Sequence, residues 1–541
     1  MRLTLTRADW VFCLGALAFN VSLGLYFALR ARHKADSSSF FLADRRLSWP
    51  IVGLSLFATN IGAEHMVGLS GDSYRYGLCA GTVELATAIS LGFTAAILLP
   101  YYLKNKVFTI AEFLEIRFRS EARLCFSGVM LFMCIVTKMA FCMYAGALVL
   151  QAVTGWGVMQ SVLIMGVTTA LITMIGGFGV VAYTDAIHAP IMLIGSGMVF
   201  LIGLHKVGGW GALCQAVQHS PVPSAMHIHK AWTDPSYPFW GVIVGAVYGG
   251  TFYWGMDQVN VQRMLGARNL QQARLGAMFA GLLKLTPVFI FALPGVMALA
   301  LYPHISVTDS RATFVWILDN LLPSGLRGYV LSALLGAVLS SLIAVMNSIS
   351  TMAVRDFILR FRPRTSEAGQ VALGRLTIVL AMFLGAGAAG IIAWQPEGVY
   401  KYLQTISLYL EFPLTPVIMC GILSKRVTFA GAAASFFAGL AISTVFVTDA
   451  LLPDKAAREL FPLLHYPITQ NYTYRGFWGT LAVTLILFAV SAFTKKTDPA
   501  KLELTTIHWG GKLEAFQGLA DWRLHLGILG VLTAGAYWWL W

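Results

Sequence analysis

The stretch FATNIGAEHMVGLSGDSY, residues 57–74, carries polar side chains inside a long apolar run. Asn60, Glu64 and His65 stand close together, and Asp72 follows them. Side chains of these types can donate hydrogen bonds to hydroxyl groups and accept bonds from them. A helix that only crosses lipid would not keep them, because intramembrane polar groups are costly and usually line a pathway. The stretch therefore predicts a polar binding site within a membrane-spanning segment.

Glycines interrupt the same stretch at Gly62, Gly68 and Gly71. Glycine weakens a helix, and here it does so where the polar side chains lie. A helix that breaks in the middle of a bilayer exposes backbone carbonyls that can coordinate a cation. We therefore expect this span to be a broken helix.

A cation site is predicted beside the break. The carbonyls of Ala58 and Ile61 are candidate ligands, and the hydroxyls of Ser340 and Ser341, in LSSLIAVMNS, would complete an all-oxygen shell. Oxygen ligands are those that hard cations prefer, and sodium is such a cation.

Other polar residues inside apolar runs extend this pattern. They are Glu84, Thr87, Asp185, Tyr253, Trp254, Asp257, Gln258, Lys284, Asn347 and Gln404. Each has a structural alternative: the serines could bond to the preceding helical turn, Asp257 could pair with Arg263, and His65 could be a core histidine. Taken together, in spans far apart in sequence, they predict the lining of one cavity.

The elements that must position these residues are membrane helices. The chain of 541 residues is 57% hydrophobic and 12% charged, and apolar runs near the length needed to cross a bilayer recur along it. We predict an all-α polytopic membrane protein without a soluble domain. Its fourteen predicted spans are 9–30, 48–76, 79–103, 122–152, 156–176, 183–205, 240–262, 273–301, 326–358, 372–394, 399–422, 427–447, 476–494 and 524–541. The first is not a cleaved signal peptide, because its apolar core is too long and ends in LRARHK.

The net charge of +13 does not indicate nucleic-acid binding. With an external N-terminus and alternating spans, most of the Lys and Arg residues fall on cytoplasmic segments, as the positive-inside rule requires. The bilayer is thus the expected partner, in the plasma membrane, and no obligatory protein partner is evident. The seven cysteines lie mostly inside spans without metal spacing, and we interpret them as packing residues.

The sequence motifs typical of nucleotide hydrolysis, metal binding and catalysis are absent or weak. No phosphate-binding loop is present, since WGGKLE has no hydroxyl residue after Lys512, so uphill transport must use an ion gradient or a partner. His227 and His229 in HSPVPSAMHIHK are weak evidence for a metal, and the role of the loop 219–229 stays open. No nucleophile–base pair supports an enzyme.

The motifs resemble a family, the sodium:solute symporters, and in particular its sodium/glucose and sodium/galactose branch. The resemblance runs over nearly the whole chain and rests on NIGAEHMVGLSG, on GGFGVVAYTDAIH with Tyr183 in place of Trp, on YWGMDQVNVQR followed by LKL, on GAVLSSLIAVMNSIST and on YKYLQTIS. It implies fourteen helices around an inverted five-plus-five repeat of the LeuT type. The implied segments are 1–47 (extra helix and cytoplasmic loop), 48–205 (first repeat), 206–239 (extracellular loop), 240–447 (second repeat) and 448–541 (extra helices and loops).

The resemblance also implies site residues. The positions that match the family's solute site are Asn60, His65, Glu84, Thr87, Tyr253, Trp254, Lys284 and Gln404. The implied gate residues are Leu69, Val83, Tyr253 and Tyr400, with Val83 in place of an aromatic residue of the bacterial relative. The implied sodium ligands are the carbonyls of Ala58, Ile61 and Ala337 and the hydroxyls of Ser340 and Ser341.

One sodium per sugar is expected. Relatives that carry two sodium ions use a second site built from an Asp, which matches Asp185, and two hydroxyl residues after the serine pair. Here those two positions are Ile343 and Ala344, which offer no side-chain oxygen. Asp185 is therefore expected to serve as a helix-to-helix bond or a transient ion path.

The resulting hypothesis is sodium-coupled symport of a monosaccharide, glucose or galactose, by alternating access, with sodium as the cotransported ion. Two alternatives remain: the same mechanism with myo-inositol or another polyol, and a membrane sensor or channel that uses the fold without coupled transport. The absence of a long cytoplasmic signalling domain argues against a sensor.

Overall fold

The computed structural model describes residues 5–31, 37–62, 64–302, 310–392, 399–452, 454–508 and 515–541. Within these ranges the chain is helical, and its one extended pairing is a single parallel bridge between Leu47 and Ala267. The predicted all-α class is confirmed.

The α-helices follow one another with short connections. In chain order they are α1 (Arg7–Ala31), α2 (Ser37–Leu42), α3 (Trp49–Asn60), α4 (Ser70–Tyr76), α5 (Thr82–Phe93), α6 (Leu99–Lys104), α7 (Ile110–Arg117), α8 (Ser120–Met133), α9 (Ala140–Thr154), α10 (Val158–Val207), α11 (Trp210–Gln218), α12 (Phe239–Gly255), α13 (Gln258–Leu265), α14 (Leu270–Leu283), α15 (Leu293–Leu301), α16 (Ser310–Leu321), α17 (Leu326–Met352), α18 (Leu359–Phe361), α19 (Glu367–Ile392), α20 (Val399–Glu411), α21 (Thr415–Leu423), α22 (Phe429–Leu451), α23 (Asp454–Leu460), α24 (Tyr472–Ala492), α25 (Pro499–Thr505) and α26 (Trp522–Leu540).

Several helices continue through π-helical segments into longer rods. These segments are Glu64–Leu69, Thr94–Leu98, Cys134–Met139, Val288–Ala292 and Ala353–Ile358. In the described ranges, nine helices are long and apolar enough to cross a membrane, or ten if α20 and α21, bent by 46°, form one span. Each of these ten coincides with a predicted span, whereas the total of fourteen stays a prediction.

The four other predicted spans also have helices at their positions. α1 and α26 occupy the first and the last of them. The two between are broken: α3 is separated from α4 by the π-helical segment Glu64–Leu69, and α12 is separated from α13 at Met256–Asp257. Because of their polar side chains and breaks, neither of these two spans forms one continuous apolar helix in the described ranges that is long enough to cross a membrane.

α17 forms the centre of the molecule. It packs against α10, α1, α19 and α9. In the continuous helical stretch Leu326–Phe361, 94% of the most apolar 18 residues are buried inside the protein. α10 also packs on α3, while α14 packs on α3 and α12 packs on α5. The broken helices therefore lie against the most enclosed part of the chain.

α19 instead presents an apolar face outward. Leu380, Phe383 and Ile391 are largely exposed. A contiguous exposed apolar face is unfavourable in water and suits acyl chains, which agrees with a bilayer around this helix.

The remaining sequence questions concern cysteine and histidine. All seven cysteines are free, and five of them are buried, which fits packing residues. His227 Nδ1 lies 2.8 Å from the carbonyl oxygen of Trp541, and the His229 ring lies 4.5 Å from the Trp541 ring. No group of three or more metal-binding side chains occurs in the described chain. The loop 219–229 therefore packs against the end of α26.

Candidate functional site

One cavity gathers the predicted solute residues. Its volume is about 160 Å³, and a single water needs only about 10–15 Å³ on the same measure, so it can hold a small solute. All eight predicted residues line it: Asn60, His65, Glu84, Thr87, Tyr253, Trp254, Lys284 and Gln404. They come from α3 and the π-helical segment after it, from α5, α12 and α20, and from the end of α14.

A charged cluster forms one end of this cavity. His65 Nε2 lies 3.2 Å from Glu84 Oε1. The Lys284 ammonium pairs with Glu84 Oε2 and donates to the side-chain oxygen of Asn60. Glu84 and Lys284 are almost fully buried, so each charge is compensated by the other, as buried ions require. The cluster offers a solute both donors and acceptors.

Two aromatic rings stand beside the cluster. The Tyr253 hydroxyl accepts a hydrogen bond of 3.0 Å from Asn60 Nδ2, and the Tyr253 and Trp254 rings meet edge to face at 5.0 Å. Trp254 Nε1 is buried and has no hydrogen-bond partner among the residues that the structure describes. A buried donor without a partner is uncommon and indicates that a ligand or water completes it. The rings also supply an apolar surface for a sugar face.

The break in the first polar helix is confirmed. α3 ends at Asn60, and Ile61 has extended dihedral angles (φ −88°, ψ 105°). The chain then resumes as the π-helical segment, with the His65 N–H donating to the Gly62 carbonyl over 3.1 Å. This geometry places Asn60 and His65 on either side of an irregular turn that faces the cavity.

The predicted sodium ligands are all buried: Ala58, Ile61, Ala337, Ser340 and Ser341. Ser341 lines the cavity, and its hydroxyl lies 3.3 Å from the Thr59 carbonyl, to which it donates. Ser341 thus contacts the end of α3 next to the break, and sodium binding by these residues stays a prediction.

Asp185 joins helices through four hydrogen bonds. Its Oδ2 accepts from Ser55 Oγ at 2.7 Å, from Thr59 Oγ1 at 3.1 Å and from the Arg263 guanidinium at 3.0 Å. Its Oδ1 accepts from the hydroxyl of Ser340. Asp185 and Arg263 are both fully buried. The Ser340 hydroxyl thus faces Asp185, and the helix-to-helix bond expected of Asp185 is present.

The possible pairing of Asp257 with Arg263 is wrong. Arg263 binds Asp185, whereas Asp257 pairs with Lys138. The Lys138 ammonium also lies 4.8 Å from the centre of the Tyr253 ring. Asp257 additionally caps α13 by accepting from the Val259 N–H at 3.0 Å.

The predicted gate residues have different positions. Val83 and Tyr253 line the cavity. Leu69 is fully buried in the apolar core and does not belong to the cavity wall. The side chain of Tyr400 lies outside the described residues.

Lys138 and Glu411 line the cavity but were absent from the predicted site. Both are ionisable residues in apolar runs, VTKMAF and YLEFPL, and such residues mark pathways. That signal could have identified them. Their neighbours in the cavity wall, Phe141 and Ser407, carried no such signal.

Comparisons with known proteins identify relatives of this chain. The family model described as "Sodium:solute symporter family" matches residues 40–439 of this chain. Sodium/glucose cotransporter 4 of Danio rerio is 31% identical over 526 residues, which cover 91% of this chain and 80% of the relative. Sodium/myo-inositol cotransporter 2 of Sus scrofa is 32% identical over 534 residues, which cover 93% of this chain and 79% of the relative.

A solved structure shares the fold. A Na⁺-coupled sialic acid symporter in its substrate-bound outward-open state has a TM-score of 0.76 at 19% identity, covering 91% of this chain and 99% of that chain. The likeness covers nearly the whole of both chains and shows that they share one overall fold. The match over most of the chain, together with the relatives above 30% identity, means that the chain belongs to the sodium:solute symporter family.

Proposed function

We propose that this chain transports a monosaccharide, glucose or galactose, together with one sodium ion by alternating access. It acts as a transporter and not as an enzyme, in the plasma membrane with its N-terminus outside. The observation that carries the proposal is the buried cluster of Asn60, His65, Glu84 and Lys284 next to the Tyr253 ring. Such a cluster suits a ring whose edge carries hydroxyl groups and whose face is apolar.

Sodium is proposed to bind at the break after α3. The ligands are the carbonyls of Ala58, Ile61 and Ala337 and the hydroxyls of Ser340 and Ser341. The short distance from Ser341 to the Thr59 carbonyl supports the site, because it brings α17 against the end of α3. Sodium there would stabilise one arrangement of these helices, and coupling requires such a difference between states.

The two proposed repeats, 48–205 and 240–447, each begin with a broken helix. α3 ends at Asn60, and α12 ends at Gly255. Matching breaks at the start of two halves are typical of inverted-repeat transporters, and they support this division. The proposed gates are Val83, Leu69 and Tyr400 on the outer side and Tyr253 on the inner side.

Myo-inositol is the second candidate solute, because a relative of comparable identity is named a sodium/myo-inositol cotransporter. The test is uptake by purified protein in proteoliposomes, with and without an inward sodium gradient, for labelled glucose, galactose and myo-inositol. Sodium-driven uptake of glucose or galactose above myo-inositol supports the first proposal. A preference for myo-inositol replaces the solute but keeps the mechanism, and the lack of any sodium-driven uptake contradicts both.

A further inference from the structure

Glu411 is a buried carboxylate that faces the cavity away from the charged cluster. It is the last residue of α20, is 6% exposed and lines the cavity wall. α20 presents Gln404, Ser407, Leu408 and Glu411 to the cavity, which is the spacing of one helix face. Since a helix rises 1.5 Å per residue, Gln404 and Glu411 lie about 10.5 Å apart along the axis. The cavity therefore has a second polar end.

The charges of the cavity do not cancel at that end. Lys284 is paired with Glu84, and Lys138 is paired with Asp257. No ion pair and no hydrogen bond to the Glu411 carboxylate exists in the part of the chain that the structure describes. Lys138 is the cation within electrostatic reach of Glu411, and it already pairs with Asp257. Glu411 is thus the carboxyl group of the cavity wall that has no counter-charge of its own in the described chain.

A buried carboxylate without a partner is costly, and at intramembrane positions such a group usually serves a function. The cavity of about 160 Å³ itself leaves room for a ligand group beside Glu411. A Cβ atom added at Gly249, another residue of the cavity wall, would lie 3.7 Å from Glu411 Oε2 and 3.1 Å from Leu408 Cδ1. The Glu411 carboxylate therefore lies against the backbone of α12 at the cavity wall.

We propose that Glu411 is a solute-binding residue that selects by charge, and that the solute class it favours is a hydroxylated ring with a protonated amino group. The charged cluster binds the ring hydroxyls, and the ammonium group donates to Glu411. A charge-assisted bond is roughly twice as strong as a neutral one, and the ammonium also compensates the buried charge. An anionic sugar acid would face Glu411 without compensation and is rejected. This inference rests on the proposed function and names the solute of the same site.

The test compares three solutes of one ring size in the same proteoliposomes: glucosamine at a pH where its amino group is protonated, glucose, and the neutral N-acetylglucosamine. We expect sodium-driven uptake of glucosamine to half-saturate at a concentration about tenfold lower than that of glucose. N-acetylglucosamine should lose this advantage, and glucuronate should not compete. Equal half-saturation for glucosamine and glucose in the unsubstituted protein overturns the inference without any variant.

The variant Glu411→Gln keeps the shape of the side chain and removes its charge. The ratio of glucosamine to glucose affinity should fall about tenfold, and competition by glucuronate should increase. Glu459→Gln, at an exposed carboxylate of α23, is the matched control and should keep the ratio. An unchanged ratio in Glu411→Gln overturns the inference.

The two proposals fail in different ways. Sodium-driven glucose uptake without a preference for glucosamine contradicts only the role of Glu411. No sodium-driven uptake of any of these solutes contradicts the proposed function itself. Should Glu411→Gln be recovered in too small an amount for uptake, the comparison of the three solutes in the unsubstituted protein still decides.

Discussion

Glu84 and Lys284 form an ion pair that is almost fully removed from water. Breaking a buried pair from one side leaves an uncompensated charge, which costs about 3–5 kcal/mol. We therefore expect Glu84→Ala and Lys284→Ala each to abolish sodium-driven sugar uptake and to lower the thermal unfolding midpoint. Gln404→Ala removes a polar contact without stranding a charge, so it should cost about 1–3 kcal/mol, or about five- to two-hundred-fold in affinity.

The control is the double variant Glu84→Ala/Lys284→Ala, which removes both charges. Residues in direct contact are not additive, so its unfolding midpoint should lie above that expected from the sum of the single variants. Additive midpoints, or normal uptake kinetics in the three alanine variants, would contradict the proposed cluster.

Tyr253 separates the roles of a ring and of a hydroxyl. Its hydroxyl takes one hydrogen bond from Asn60, while its ring packs on Trp254 and lies next to the Lys138 ammonium. Tyr253→Phe should change sugar affinity modestly, whereas Tyr253→Ala should lose binding or coupling, because the stacking surface and the inner gate disappear. Concentration-dependent uptake in proteoliposomes distinguishes them, and equal defects in both variants would assign a hydrogen-bonding role instead.

At the residue scale, sequence patterns could identify which side chains line the cavity but not how they pair. Asp257 has both Lys138 and Arg263 as potential partners, and hydropathy carries no information on which helix faces meet. The structure resolves this because Asp185 on α10 and Arg263 on α13 lie 3.0 Å apart. Glu411 could be identified as an ionisable residue in an apolar run, but its isolation from other charges is visible only when its neighbours are known.

At the element scale, α10 shows how one residue joins two spans. The spans predicted at 156–176 and 183–205 run on as one helical rod that is interrupted at Gly177, where φ is +59°. Residues with a side chain disfavour such a positive φ, whereas glycine adopts it readily. A Cβ atom there would also lie 2.9 Å from the Phe40 carbonyl oxygen and 3.1 Å from its Cα. The sequence predicts the two spans through their hydropathy, but the direction of the turn depends on this contact with α2.

Gly177→Ala is therefore expected to destabilise the protein by about 1–3 kcal/mol, through a strained backbone and the contact with Phe40. Gly179→Ala is the matched control, since a Cβ at Gly179 would meet only the Ala43 side chain at 3.6 Å. Thermal unfolding of both purified variants is the measurement. A drop in the midpoint for Gly179→Ala as large as that for Gly177→Ala would show that the positive φ is not the cause.

At the scale of the whole molecule, the bilayer itself makes the fold predictable. Lipid provides no hydrogen-bond partners, so long apolar runs must be helices, and ten predicted spans meet this condition in the structure. The rule fails where function intervenes. The spans that carry Asn60 and Asp257 are broken and polar, so two of the spans that carry cavity-lining residues give the weakest length signal.

The coupling ratio is also a property of the whole molecule, and we expect one sodium per sugar. The expected second site would use side-chain oxygens at the two positions after the serine pair, but Ile343 and Ala344 provide none. The hydroxyls that do lie beside Asp185, those of Ser55, Thr59 and Ser340, already donate to its carboxylate. The Arg263 guanidinium already compensates the Asp185 carboxylate, and a second cation beside it would be repelled. The measurement is the reversal potential of sugar-coupled current in proteoliposomes at several sodium gradients. Ser341→Ala should raise the sodium concentration needed for half-maximal uptake. Asp185→Asn should lower thermal stability, because Arg263 loses its counter-charge, and yet leave the ratio at one. A ratio near two in the unsubstituted protein would mean that a second site exists in spite of the Asp185–Arg263 pair.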